Sequence, residues 1–236
     1  MASTSSTGNV DHSFRVQEDV PVIQRLSANA ELFLVNVLCF GPFAALSIIG
    51  LIERKELTVF DDRRALLTLG IEIVCGSIAL LLLRARGWKL SDLGFRITLP
   101  QTLAGMLLLF GSNFIVASIV ELVRAATGVD ASAVTSSEAH VTWPVLIVLT
   151  LINPLYDEIL SVAYNVEAAS KAHGAAFAIT LSATVRFICH LEQGPISAVT
   201  ILPFGLIFAF VYWRWRVVWP LVVAHAVMDF VGLVPR

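Results

Sequence analysis

Charge is what this sequence has least of. Only 14% of its 236 residues are Asp, Glu, Lys or Arg, against 57% hydrophobic, and the mean hydropathy is +0.80. A soluble domain of this length needs a larger charged share to cover its surface. The composition therefore excludes one and points to an integral membrane protein. The net charge of −2 says nothing about partners, but no basic patch suggests nucleic acid, and no nucleic-acid partner is expected. Cysteine is scarce too. Cys39, Cys75 and Cys189 all fall in apolar runs, with neither metal-type spacing nor a disulfide framework, and read as small buried hydrophobes. There is no HExxH pair, no internal repeat and no low-complexity tract. The start lacks the basic stretch and short apolar core of a cleaved signal peptide. Residues 1–31 are polar and rich in Ser and Thr, and are expected to form a flexible tail before a transmembrane domain over 32–236.

What the sequence has is apolar runs: Leu32–Ile52, Leu66–Leu83, Thr102–Val123, Trp143–Ala163, Ala175–Leu191, Ile196–Trp213 and Val217–Val234. About 20 apolar residues span a bilayer as one helix, and a helix satisfies every backbone polar group internally. The runs are too long and too uniform for membrane-barrel strands. The expected fold is all-α: a polytopic helical bundle of about seven transmembrane helices (seven or eight), in contact with the lipid bilayer. With seven spans, Arg15, Arg25, Arg84, Arg86, Lys89, Arg96, Lys171, Arg214 and Arg216 lie on one side. Arg54, Lys55, Arg63, Arg64, Arg124 and Arg236 lie on the other. The former outnumber the latter, so the positive-inside rule puts the N-terminus in the cytoplasm.

Ionisable groups in hydrocarbon are costly, so each needs a reason. The earlier runs offer Glu72, Asn36 and Asn113 and little else. The later runs hold Asp157, Glu158, Arg186, His190, His225 and Asp229, which concentrates any function in a core over 140–232. In PLYDEILSVAY, the adjacent acids Asp157 and Glu158 project about 100° apart on an α-helix. They are not expected to point at one spot. His225 and Asp229 are i, i+4, so they share a helix face, as do Arg186 and His190. A carboxylate one turn from an imidazole can fix its tautomer. Each pair also has a structural reading: an ion pair or hydrogen bond between helices, or for Arg186 a snorkelling side chain at the interface.

Taken together, these groups can hydrolyse a peptide bond within the membrane. A carboxylate deprotonates water, a histidine positions it, and a further donor stabilises the oxyanion. A divalent metal is the other use of such groups, with His190, His225 and Glu158 as its ligands. Spacing gives it no particular support, and no other cofactor is expected. A third use is a proton relay in a transporter or channel.

At these residues the sequence resembles the CAAX-protease and bacteriocin-processing family of intramembrane endopeptidases. The family's first motif is Glu-Glu-x-x-x-Arg, and Asp157-Glu158-Ile-Leu-Ser-Val162 stands in its place. The second, Phe-x-x-x-His, is met by Arg186-Phe-Ile-Cys-His190. The third, His-x-x-x-Asn or Asp, is met by His225-Ala-Val-Met-Asp229. The resemblance covers residues 140–232 well and 85–125 loosely. It implies a bundle of seven or eight helices, a site buried in the membrane, and a peptide or protein substrate. It also implies that Asp157 is the general base, assisted by His190, that Glu158 is the supporting acid, and that His225 and Asp229 form the oxyanion side. A bacterial plasma membrane suits such a compact chain.

Three positions depart from the pattern. Asp157 replaces a Glu, Val162 replaces the Arg, and Arg186 replaces the Phe. The last two are expected to be linked: Arg186 supplies, from the neighbouring helix, the positive charge lost at Val162. Its guanidinium should then lie within about 8 Å of Asp157 or Glu158, since an unpaired buried carboxylate costs several kcal/mol. The same departures suit an alternative, a family member without catalysis that acts as a membrane binding or immunity-type protein.

Overall fold

The computed structural model describes residues 24, 26–52, 59–128, 138–191 and 195–234. The tail expected over 1–31 lies mostly outside them. The elements run α1 (Ala28–Ile52), β1 (Val59–Asp61), α2 (Asp62–Ala85), α3 (Leu99–Thr127), β2 (Glu138–His140) and α4 (Trp143–Tyr156). They continue through a π-helical segment (Asp157–Tyr164), α5 (Asn165–His173), α6 (Ala175–Cys189), α7 (Pro195–Trp215) and α8 (Trp219–Leu233). The fold is an all-α bundle, as expected. α4, the π-helical segment and α5 form one unbroken rod, Trp143–His173, so the described residues hold seven rods. Four of them are long and apolar enough to cross a membrane. α6 and α8 have 15 residues each, about 22 Å at the α-helical rise, and are shorter than the hydrocarbon core of a bilayer.

The helix boundaries follow local chemistry. Asp61 caps α2, its Oδ1 accepting from the Arg64 amide at 3.0 Å. Thr98 caps α3, and Pro100 sits in the first turn, where a missing N–H costs nothing. Gly174, with φ +84°, ends α5 and turns the chain into α6. A three-residue parallel ladder, β1 with β2, was not expected. It pairs Phe60 with Ala139 and ties the start of α2 to the start of α4. Asp62 completes that tie by accepting from the Thr142 amide (2.7 Å) and hydroxyl (2.9 Å).

α3 shows how the bundle meets lipid. Leu103, Leu107, Phe110 and Phe114 recur at helical spacing and are each more than half exposed. This apolar stripe suits acyl chains. Gly105, Leu109, Ser112 and Val116 form the opposite, buried row. At the end of the bundle that holds the start of α1, the buried Glu31 accepts from Arg86 Nε (2.5 Å), Trp88 Nε1 (2.9 Å) and the Tyr164 hydroxyl (3.2 Å). The Arg86 guanidinium also donates to the carbonyl of Leu26 at 2.8 Å. One carboxylate thus joins α1, the segment after α2 and the π-helical segment. Deeper in, Asn36 of α1 and Asn165 of α5 exchange side-chain amide bonds at 2.7 and 2.9 Å.

α3 and α8 approach closely at Gly105, where an added Cβ would lie 2.7 Å from both the Pro220 carbonyl oxygen and Val223 Cβ. Gly111, on the same helix, has open space around it. Gly105→Ala should therefore lower stability by about 1–3 kcal/mol through overpacking, and Gly111→Ala should not. Thermal unfolding of the two variants in one detergent checks this.

Candidate active site

The candidate site begins with a change in helix pitch. Pro154 has no N–H and breaks the regular ladder of α4. From Asp157 the chain winds as a π-helix for eight residues, much longer than the single-turn bulges usual for this geometry, which favour functional sites. Ser182 of α6 supports the segment by donating to the Ser161 carbonyl at 2.7 Å. From Glu158 onward every residue of the segment is buried, Val162 completely.

Arg186 reaches across from α6. Its Nη2 donates to Glu158 Oε1 at 2.5 Å and lies 3.9 Å from Asp157 Oδ2. This is the link expected from the two motif departures, and Glu158 is the nearer partner. It corrects two other expectations. Arg186 does not snorkel, since its side chain is only 7% exposed. Nor do the adjacent acids diverge beyond one partner's reach, because a single guanidinium nitrogen lies within 4 Å of both. The bundle makes room for this long side chain. At Gly205 of α7 an added Cβ would lie 3.1 Å from Ala183 Cα, and Phe208 presents its ring 5.5 Å from the guanidinium carbon, a cation–π distance.

α8 brings the third motif. His225 Nδ1 lies 2.7 Å from Glu158 Oε1, and its Nε2 lies 3.4 Å from Asp229 Oδ1. Glu158 Oε1 is thus shared by Arg186 and His225, while the imidazole stands between two carboxylates. Asp157 is held less tightly and its side chain keeps 16% exposure. His190 stands at the C-terminal cap of α6 rather than within a helix, where the expected run to Leu191 had put it. The chain must open α7 at Pro195 and cannot continue α6 that far. Its Nδ1 sits 2.8 Å from the Arg186 carbonyl, so Nδ1 carries the hydrogen, and Nε2 has no hydrogen-bond partner among the described residues. Asp157, Glu158, Arg186, His225 and Asp229 therefore meet directly, and His190 joins them through the backbone of Arg186.

His190, His225 and Glu158, the ligand set expected for a metal, each already engage protein groups. Both nitrogens of His225 face carboxylates, and Arg186 already occupies the oxygen that His225 shares. Among the described residues no group of three or more His, Cys, Asp or Glu is placed to hold an ion.

One acid near this site was underrated in the sequence. Glu72 of α2, only 2% exposed, accepts from Asn153 Nδ2 at 2.5 Å. Asn153 stands one turn before Asp157. A lone Glu at mid-run was itself the signal, since hydrocarbon penalises it, but no motif pointed to it.

Acids, imidazoles and a guanidinium thus meet in the apolar interior of a helical bundle. Within the chain, residues 139–231 match the family model described as Type II CAAX prenyl endopeptidase Rce1-like. The match spans all three motifs, so the resemblance holds at family level over this segment, and that family is one of peptide hydrolases. Comparisons with curated proteins and with solved structures gave no match.

If Arg186 stands in for the cation missing at Val162, Arg186→Phe should leave Glu158 with His225 as its one remaining partner and cost about 3–5 kcal/mol, the penalty for breaking a buried pair. Val162→Arg added to Arg186→Phe should recover part of that loss. Unfolding midpoints of wild type, single and double variants in detergent test this directly.

Proposed function

We propose that this protein is an intramembrane endopeptidase of the CAAX-protease-like type, acting on a peptide or protein substrate. The observation that carries this reading is the meeting of Asp157, Glu158, Arg186, His225 and Asp229 from three rods, at hydrogen-bonding or ion-pair distance, in a chain whose site segment matches a peptidase family. Asp157 is the base. It is the acid with the least direct engagement and the more exposed of the pair. It takes a proton from water, whose oxygen attacks the scissile carbonyl. His190 assists through its Nε2. The carbonyl oxygen becomes an oxyanion, and His225, oriented by Asp229, supplies the donor that meets it. Collapse breaks the C–N bond, and the proton held by Asp157 passes to the leaving amine. Glu158 is the supporting acid. It anchors Arg186 and His225, and these two cation-capable groups take the electrostatic work that a metal performs elsewhere.

The shorter side chain of Asp157 sets its carboxylate back by about 1 Å relative to a Glu, and a shift of that size can cost on the order of 100-fold in rate. The alternative is a silent relative that binds without cleaving. It draws on the double engagement of Glu158 Oε1 and the nearness of Arg186 to Asp157. In either reading the site is reached from the cytosolic side, with the N-terminus in the cytoplasm and the chain in a bacterial plasma membrane.

A peptide library offered to the detergent-purified protein separates the two readings. The enzyme reading predicts cleavage by wild type and a loss of about 10²–10⁴-fold in Asp157→Ala and His190→Ala, the usual worth of a general base. Cleavage that arises only after Asp157→Glu and Val162→Arg would support the silent relative.

A further inference from the structure

We propose that Glu72 is a further positioning residue of this site, acting through Asn153 to hold Asp157 in place; the inference rests on the peptidase reading. Three features carry it. Glu72 lies on α2, well outside the matched segment, with its side chain buried in the bundle. Its Oε1 accepts from Asn153 Nδ2 at 2.5 Å, whereas its Oε2 is buried with no hydrogen-bond partner among the described residues. An unsatisfied buried carboxyl oxygen lowers stability, and an apolar side chain would avoid that cost. An acid maintained against stability inside a membrane protein points to function.

The geometry shows what that function is. Asn153 stands in the last turn of α4, and the Asp157 amide donates back to the carbonyls of Asn153 and Pro154. Beyond it the π-helical turn begins, so the direction of Asp157 depends on how the preceding turn is held. α2 holds it twice. Glu72 takes the side chain of Asn153. One turn further along α2, Gly76 admits the Tyr156 ring, which an added Cβ would meet at 3.0 Å. Tyr156 in turn donates its hydroxyl to the Cys39 carbonyl at 2.6 Å. Asp157 needs this support more than Glu158 does. Glu158 is fixed by Arg186 and His225, whereas the nearest cationic nitrogen to Asp157 is 3.9 Å away.

Two variants break the bond from opposite sides, Glu72→Leu and Asn153→Ala, and one preserves an acceptor oxygen, Glu72→Gln. Turnover of a cleaved peptide and backbone hydrogen exchange across 157–164 are measured on variants whose thermal unfolding shows them folded. Either bond-breaking variant should lose about 10- to 100-fold in kcat with KM little changed, as expected for a misplaced catalytic group. The same variant should exchange faster across 157–164, and Glu72→Gln should stay near wild type in both respects. Unchanged kcat in a folded bond-breaking variant would overturn the proposal, as would Glu72→Gln failing alongside Glu72→Leu. If wild type shows no turnover, the peptidase reading fails, and the exchange measurement still decides whether Glu72 holds the segment.

Discussion

Everything at the centre of this protein depends on keeping two adjacent carboxylates in an environment that rejects charge. Taking an acid out of water costs several kcal/mol unless a partner and hydrogen bonds accompany it. Here the partner is Arg186, at 2.5 Å from Glu158 and 3.9 Å from Asp157. Its presence constrains the rest of the bundle. α6 must bring it to the right depth, and α7 must come close at Gly205 and lay Phe208 under the guanidinium. α8 must deliver His225 to the same Glu158 oxygen. Glu158 is the fixed point, and Asp157 is the acid left available for chemistry.

The π-helical segment follows from the same constraint. A regular α-helix sends neighbouring residues about 100° apart, and long uniform turns would separate the two acids. The chain instead loses a backbone donor at Pro154 and winds more widely from Asp157. It recovers support for the loosened backbone from Ser182. Glu72 and Asn153 brace the turn just ahead. Buried polarity and an irregular helix therefore gather at one place, as expected where function has been set against stability.

Much of this was legible beforehand. Run lengths alone give the bundle, because a membrane leaves the backbone few alternatives. The departures at Val162 and Arg186 could be joined by charge balance, since a missing cation beside Glu158 had to be replaced from somewhere. Other features escaped because they depend on pitch and packing. The π winding has no signature in an apolar stretch. His190 read as helical because Ile188, Cys189 and Leu191 carry the apolar pattern up to the turn. The β1–β2 ladder is three residues long, too short for any alternation to show. Glu72 stood alone in its run, and its partner Asn153 lies 81 positions away in the chain.

The central claim is that Arg186 and Glu158 form one buried electrostatic unit. Its most direct test is a double-mutant cycle of Glu158→Gln and Arg186→Met, read by equilibrium unfolding in detergent. A buried pair of this kind should show strong non-additivity, with a coupling of about 2–3 kcal/mol and a double variant no less stable than the worse single one. Additivity within about 0.5 kcal/mol, the result expected of independent sites, would contradict it.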